Sequence, residues 1–172
     1  FGNLPTREQY DMFTSILHSY TALPQNFTED MILKAPSNNI MNKLARSVLA
    51  LYSYDNADPD DIRTDNLFRQ SLELIARFPT LIAYAYAAKR HYYDGKSLVL
   101  HNPNPNLSVA ENFLYMIRPD HKYTETEAKV LDLALMLHAE HGGGNNSAFA
   151  IRVLSSSNTD TYSAVAAAIG SL

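Results

Sequence analysis

Three capping boxes, each a hydroxyl residue followed three positions later by Gln or Glu, mark helix starts along this 172-residue chain. In a capping box the hydroxyl accepts a hydrogen bond from a backbone amide of the first helical turn, and the Gln or Glu side chain accepts one from the capping residue in return. Apolar residues follow each box at three- and four-residue spacing, and strand patterns are scarce, so the sequence predicts an all-α fold. The boxes are Thr6 with Gln9, Ser108 with Glu111, and Thr124 with Glu127.

The other helix predictions rest on apolar stripes and on the residues that interrupt them. Residues 54–64 contain four Asp, one Asn and one Pro, which predict a polar loop. Because Pro79 has no amide hydrogen and crowds the carbonyl of Ile75, we expect a kink or a junction of two helices there. Residues 81–88 are apolar on nearly every side, which is typical of a helix buried in a core or against another subunit. The remaining predicted helices cover residues 29–34, a stretch that starts at Asn39, and residues 65–93, 147–154 and 161–169.

Three predicted helices have an apolar stripe that we expect to face inward. The longest such stripe belongs to a helix predicted from residue 125 to about residue 141. The stripes consist of Met41, Leu44, Ala45, Val48 and Leu49 after Asn39; of Phe113, Leu114 and Ile117 after Ser108; and of Val130, Leu131, Leu133, Ala134, Leu137 and His138 in the third helix.

The amino-acid composition and net charge restrict the class of protein to which this chain can belong. The chain is 46% apolar and 19% charged, which is typical of a folded domain. A net charge of −4, with no basic run longer than Lys89-Arg90, argues against nucleic acid or an anionic membrane as the main partner. Without cysteine there are no disulfides and no thiolate metal ligands. The chain begins at Phe1 and stops at Leu172 just after an apolar stretch, so we expect an internal piece of a longer protein.

The segment that carries chemistry is the run His-Ala-Glu-His-Gly-Gly-Gly-Asn-Asn-Ser at residues 138–147. His138 and His141 are three positions apart, so on a helix they are neighbours on one face. One interpretation places His138 in the core stripe, bonded to a carbonyl, with His141 as a C-terminal cap. A metal site would need more ligands than two imidazoles and Glu140, so we predict no metal. A third interpretation is an anion site, in which the glycines reverse the chain and residues 145–147 begin a new helix. The free backbone amides of its first turn would favour a carboxylate.

The same segment resembles the signature of the citrate synthase family, which includes the 2-methylcitrate synthases. The resemblance continues through residues 155–164 and 167–172. Upstream, residues 2–6 resemble the Gly-x-Leu-Pro-Thr element of the family, and residues 76–79 with the apolar helix after them resemble its dimer-forming helix. Residues 112–116 fit as well. The resemblance thus extends over the whole chain, but over only an inner part of the family's length.

The resemblance implies an enzyme that condenses oxaloacetate with acetyl-CoA, or with propionyl-CoA, into a tricarboxylate. In that family an aspartate removes a proton from the thioester methyl while a histidine donates to the enol oxygen; a second histidine polarises the ketone, and arginines hold the carboxylates. By the resemblance, His141 matches the oxaloacetate-binding histidine and His138 a supporting one. Asn145 and Ser147 match positions lining the same pocket, where the serine can contact the enol-stabilising histidine.

The resemblance also implies what this chain lacks. The next family motif, Gly-Pro-x-His-Gly-Gly, carries the enol-stabilising histidine and would follow Leu172, and the catalytic aspartate, the arginines and the CoA loop come later still. We therefore expect residues 1–172 to form a single helical fragment of the large domain, truncated at both ends and inactive alone. The parent would be a cytoplasmic homodimer with acetyl-CoA as co-substrate, no tightly bound cofactor, and no nucleic acid or membrane partner. The alternatives are a 2-methylcitrate synthase that uses propionyl-CoA and a non-catalytic helical dimerisation module.

Overall fold

The structure is a computed structural model that describes residues 3–140 and 142–171, and over this part of the chain it contains helices and no strand. The all-α prediction is confirmed. No helix among the described residues is long and apolar enough to cross a membrane. The α-helices are α1 (Arg7–Ser19), α2 (Ile40–Leu51), α3 (Thr64–Tyr92), α4 (Val109–Ile117), α5 (Glu125–Leu137), α6 (Asn146–Ser155) and α7 (Thr161–Gly170), with a π-helical segment at Thr28–Leu33 and a 3₁₀ turn at Tyr52–Tyr54.

All three predicted capping boxes form. At α1 the Thr6 hydroxyl accepts from the Gln9 amide at 3.2 Å, and the Gln9 side chain accepts from the Thr6 amide at 2.9 Å. Such caps satisfy amides that a first turn leaves without an intrahelical partner. The same reciprocal pairs form before α4 and α5. The other side-chain caps are Asn39 for α2, Asn145 for α6 and Asp160 for α7.

Helix α3 continues through Pro79 without interruption, so the two-helix alternative is wrong. Proline removes only one amide donor, the one that would have bonded to the carbonyl of Ile75. Ile75 is 62% exposed and lies on the solvent side of the helix. Water can therefore replace the missing bond. On the opposite side the buried Ala76 and Leu81 hold both halves of the helix against the core. The Thr80 hydroxyl adds a bond to the carbonyl of Thr21 at 3.0 Å.

The second half of α3 is buried within this chain, as the apolar run 81–88 predicts. Leu81, Ala83, Tyr84, Ala85 and Ala88 are all buried. Four of them join one apolar cluster with residues of α2, α4 and α7. This stretch therefore forms the centre of the chain's own core. The cluster comprises Phe27, Ile32, Leu44, Val48, Leu51, Leu74, Leu81, Ala83, Tyr84, Ala88, Met116, Tyr162 and Ile169.

The predicted inward faces need correction in α2 and α4. In α4 the buried side is rotated by about one position to Ala110, Asn112 and Met116, while the predicted Phe113, Leu114 and Ile117 are only half-buried. Asn112 explains the rotation, because its side-chain amide exchanges two hydrogen bonds with the backbone of Asn104, at 2.8 and 2.7 Å. A polar residue can be buried where its bonds are satisfied in this way. In α2 the prediction is right for Leu44 and Val48 but wrong for Met41 and Leu49, which are exposed.

Helix α5 departs most from its predicted stripe. Val130 is 61% exposed, Leu133 56% and Leu137 78%. The helix packs on α4, and Ala128 is its buried residue. The apolar pattern predicted the helix correctly. Its outer side, however, has no covering element among the described residues.

A buried polar network joins the loop after α2 to α3 and α7. The side chain of Asp55 is 1% exposed and accepts hydrogen bonds from Arg69, Gln70 and the Tyr162 hydroxyl, the last at 2.9 Å. Burial raises the pKa of Asp55, but these bonds outweigh it and hold the pKa at about 2. The Thr161 hydroxyl donates to the Gln70 side-chain carbonyl at 2.5 Å. The first turn of α7 is thereby fixed to α3.

Lys43 of α2 is a buried cation. It is 2% exposed, and its ammonium donates to the carbonyl of Met31 near the end of the π-helical segment. Burial, reinforced by the charge of Arg46, lowers the pKa of Lys43 to about 8.

Candidate functional site

The glycine segment, residues 142–144, forms the corner between α5 and α6. Helix α5 ends at Leu137 with His138 as its C-cap, about four residues earlier than predicted. Gly142 has a φ of +68°, a left-handed conformation that glycine adopts without strain, and its amide donates to the Glu140 carboxylate at 2.6 Å. The chain therefore reverses at the glycines, as the sequence predicts, and the following helix begins directly after them.

The structure places His138 on the surface. Its Nδ1 lies 2.8 Å from the carbonyl of Ala134, so the predicted bond to a carbonyl is present, but the side chain is exposed and its assignment to a core stripe is wrong. The reason is that the outer face of α5 is uncovered along its whole length. His141 lies outside the described residues, so its predicted role at the corner stays a prediction.

Asn145 and Ser147 lie at the start of α6, where the sequence predicts them. The Asn145 side chain caps the helix by accepting from the amides of Ser147 at 2.9 Å and Ala148 at 3.4 Å. The Ser147 hydroxyl oxygen is buried and has no hydrogen-bond partner among the described residues. A buried polar atom without a partner costs free energy, so this hydroxyl is available to bond to a water or to a group outside the described residues. The helix N-terminus also carries a partial positive charge that favours an anion.

Sequence reasoning missed Arg152 as part of this corner. Its Nη2 donates to the carbonyl of Gly143 at 2.6 Å, from the far end of α6. A signal was available, because Arg152 follows Asn145 by seven positions. Seven residues are nearly two helical turns, which place the two side chains on the same face of α6.

The four histidines that the sequence analysis left without a site role lie away from the corner. His91 and His101 each contact a backbone carbonyl, of Lys96 at 2.9 Å and of Pro119 at 3.2 Å. His121 stacks on Tyr115. His18 lines a groove of about 380 Å³ between α1, α3 and α4, whose lining does not include the predicted site residues.

Comparison with known proteins gives matches over nearly the whole chain. Residues 1–172 match the family model described as "Citrate synthase, C-terminal domain". A citrate synthase of Haloferax volcanii is 37% identical over 175 residues, which are 99% of this chain and 44% of that protein. 2-Methylcitrate synthase 1 of Corynebacterium glutamicum is 30% identical over 176 residues, 100% of this chain and 44% of that protein.

A solved structure shares the fold. It is the citrate synthase of Thermoplasma acidophilum in a ternary complex with carboxymethyl coenzyme A and oxaloacetate, with a TM-score of 0.84 at 22% identity over 100% of this chain and 42% of that one. The chain thus spans less than half the length of the proteins it matches.

Proposed function

Because this chain belongs to the citrate synthase family, we propose that the complete protein is an acyltransferase that joins oxaloacetate and acetyl-CoA into citrate and CoA. Residues 1–172 would be a fragment of its large domain, truncated at both ends. The observation that carries the proposal is the corner at residues 142–147, where the family's most specific segment ends one helix and opens the next.

The corner suits one part of the substrate, the negatively charged carboxylates of oxaloacetate. Helix α6 directs the positive end of its dipole toward the corner, while its amides at Ser147 and Ala148 donate to the Asn145 cap. His141 would bind oxaloacetate, and His138, Asn145 and Ser147 would support or line the same pocket. His138 is accessible, and its Nδ1 contact with Ala134 fixes the ring orientation.

The unpartnered hydroxyl of Ser147 supports a second half of the site outside the described residues. In the proposed enzyme its partner is the enol-stabilising histidine, which the family carries in the motif that would follow Leu172. That histidine and a later aspartate would perform the acid–base steps, donating to the enol oxygen and removing the methyl proton. The 172-residue chain contains neither group and is expected to be inactive alone.

The acyl donor and the setting of the enzyme complete the proposal. Acetyl-CoA would be a co-substrate, with no tightly bound cofactor. The parent would act as a cytoplasmic homodimer in the tricarboxylic acid cycle, without nucleic acid or membrane partners.

A 2-methylcitrate synthase that uses propionyl-CoA is the second candidate, favoured by the 30% identity to such an enzyme. A non-catalytic dimerisation module is the third. The exposed apolar side of α5 favours association. Most of residues 81–88 are buried within the chain and are not available for such a contact, whereas Ile82, Tyr86 and Ala87 are half-buried and leave part of that stretch accessible.

The test is an assay of the complete gene product with both thioesters, beside the 172-residue chain. His141→Ala should weaken oxaloacetate use by about ten- to a hundredfold, because a hydrogen bond to a charged ligand contributes about 1.5–3 kcal/mol. His18→Ala, in the groove between α1, α3 and α4, is the matched control and should retain activity. Citrate formation by the 172-residue chain, or a full-length protein inactive with both thioesters, would overturn the proposal. A reading frame that stops after Leu172 would favour the dimerisation module.

A further inference from the structure

Arg152 reaches from the last turn of α6 back to the loop that precedes the helix. Side chains on a helix point toward its N-terminus, and residue 152 lies on the same face as the cap Asn145. Its Nη2 donates to the Gly143 carbonyl at 2.6 Å. No carboxylate pairs with Arg152 among residues 3–140 and 142–171, so this peptide carbonyl is the partner that the guanidinium has.

The guanidinium also covers the glycine itself. A methyl group placed on Gly143 would lie 3.4 Å from Nη1 and 3.6 Å from Cζ of Arg152, whereas the same group on Gly142 or Gly144 would meet nothing within 4 Å. The guanidinium plane therefore lies against Gly143 and not against Gly142 or Gly144. Lysine has no such plane and could supply only a point charge.

The glycine segment has few other attachments. The amide of Gly142 donates to the carboxylate of Glu140, two positions earlier, and the amide of Asn145 approaches the Gly142 carbonyl at 3.5 Å, a weak contact. Both contacts join residues within three positions of each other. Among the side-chain bonds of the described residues, that of Arg152 is the one that ties the segment to the body of a helix.

We propose that Arg152 is a positioning residue that fixes the path of the glycine segment, and through it the substrate-binding face of the corner. The catalytic part of this inference rests on the proposed function, whereas the structural part does not. If Arg152 sets this path, its loss should act mainly on oxaloacetate, whose pocket the corner forms, and should leave acyl-CoA binding unaltered.

The structural test uses the 172-residue chain, labelled on glycine for NMR and carrying Leu133→Glu, which is expected to reduce its association through the exposed side of α5. The chain has six glycines, so the spectrum is simple enough to follow the glycine segment. Arg152→Gln should shift the amide resonance of Gly143 and lower its order parameter, while Gly95 stays unchanged. Arg46→Gln, which removes an exposed arginine bonded to Asn42 on α2, is the matched control and should leave the glycine segment unaltered. An unperturbed Gly143 in Arg152→Gln would overturn the proposal, whatever the enzyme does.

The kinetic test uses the complete gene product. Arg152→Gln should raise the KM for oxaloacetate about tenfold with little change in the KM for the thioester, and Arg152→Lys should recover only part of the loss. Equal losses for both substrates, or full recovery by lysine, would contradict a positioning role for the guanidinium. If the gene product has no condensing activity at all, the proposed function fails while the NMR result still decides the role of Arg152 in the loop.

Discussion

Replacing Tyr162 with Phe removes one hydroxyl from the buried network and leaves the packing in place. Tyr162 is fully buried, and its ring belongs to the central apolar cluster, so phenylalanine fills the same space. The lost interaction is the 2.9 Å bond to the carboxylate of Asp55. A hydrogen bond to a charged group contributes about 1.5–3 kcal/mol, so we expect the free energy of unfolding to fall by about 2 kcal/mol at pH 7.

The size of the loss depends on what Asp55 retains. Arg69 still contacts both carboxylate oxygens, at 3.0 and 2.8 Å, and Gln70 still donates at 3.1 Å. The carboxylate therefore stays paired after the substitution. For this reason we expect the chain to remain folded, with the loss below the roughly 3–5 kcal/mol typical of a buried charge left without a partner.

The pH dependence gives a second, sharper expectation. The pKa of Asp55 is held at about 2, below its ordinary value of 3.8, so its stabilising contribution is complete above about pH 4 and is lost as the pH falls toward 2. In Tyr162→Phe the pKa of Asp55 should rise. The difference in stability between the two proteins should therefore be largest above pH 4 and should shrink by pH 2.

Urea unfolding followed by far-ultraviolet circular dichroism measures both effects. With a slope of about 1–3 kcal/mol per molar urea, the midpoint at pH 7 should fall by about 1 M. Tyr54→Phe is the matched control, because Tyr54 is half-buried and packs on Phe27, but its hydroxyl has no hydrogen-bond partner in the described part of the chain. A loss below about 0.5 kcal/mol, or one of the same size at pH 7 and pH 2.5, would refute the reasoning.

Four further predictions concern the other features of the chain. The pKa of Lys43 is lowered from 10.5 to about 8, so between these pH values the unfolded chain binds more protons than the folded chain. The free energy of unfolding, measured by urea titration, should therefore rise by roughly 3 kcal/mol from pH 8 to 10.5. Lys43→Met should abolish this rise. Gly142→Ala should cost about 1 kcal/mol because of its positive φ, whereas Gly144→Ala, equally open, should be neutral; equal effects in thermal unfolding would contradict this. Asn145→Ala should cost about 1 kcal/mol and increase amide hydrogen exchange in the first turn of α6, and unchanged exchange would count against the cap. The 172-residue chain should self-associate in light scattering, and Leu133→Glu should reduce this; a well-behaved monomer before substitution would contradict the expectation.

Local signals account for the parts of the fold that could be predicted from sequence. Capping residues such as Thr6 and Asn39 act within four positions, so the sequence alone determines where their helices begin. The glycine reversal at Gly142 is local in the same sense. The continuation of α3 through Pro79 depends instead on tertiary packing, which overrides the local tendency to break.

Non-local pairing explains what the sequence could not reveal. Nothing near Asp55 indicates that its partner is Tyr162, 107 positions away, so a stretch interpreted as a polar loop contains the most buried carboxylate of the network. Lys43 likewise looks like a surface residue until the carbonyl of Met31 is placed beside it. At the corner, residue types predicted the cap at Asn145, and the seven-residue spacing places Arg152 on the same face of α6. The loop atom that Arg152 contacts, the carbonyl of Gly143, required the three-dimensional path of the loop.

The separation between Asp55 and Tyr162 also has a consequence for how the protein is made. A ribosome adds roughly 5–20 residues per second, so about 5–20 seconds pass between the synthesis of the carboxylate and that of the hydroxyl that binds it. During this interval the side of α2 that later packs against α7 is uncovered in the nascent chain. The emerging polypeptide therefore exposes apolar surface of α2 until translation reaches α7 and this part of the core can close.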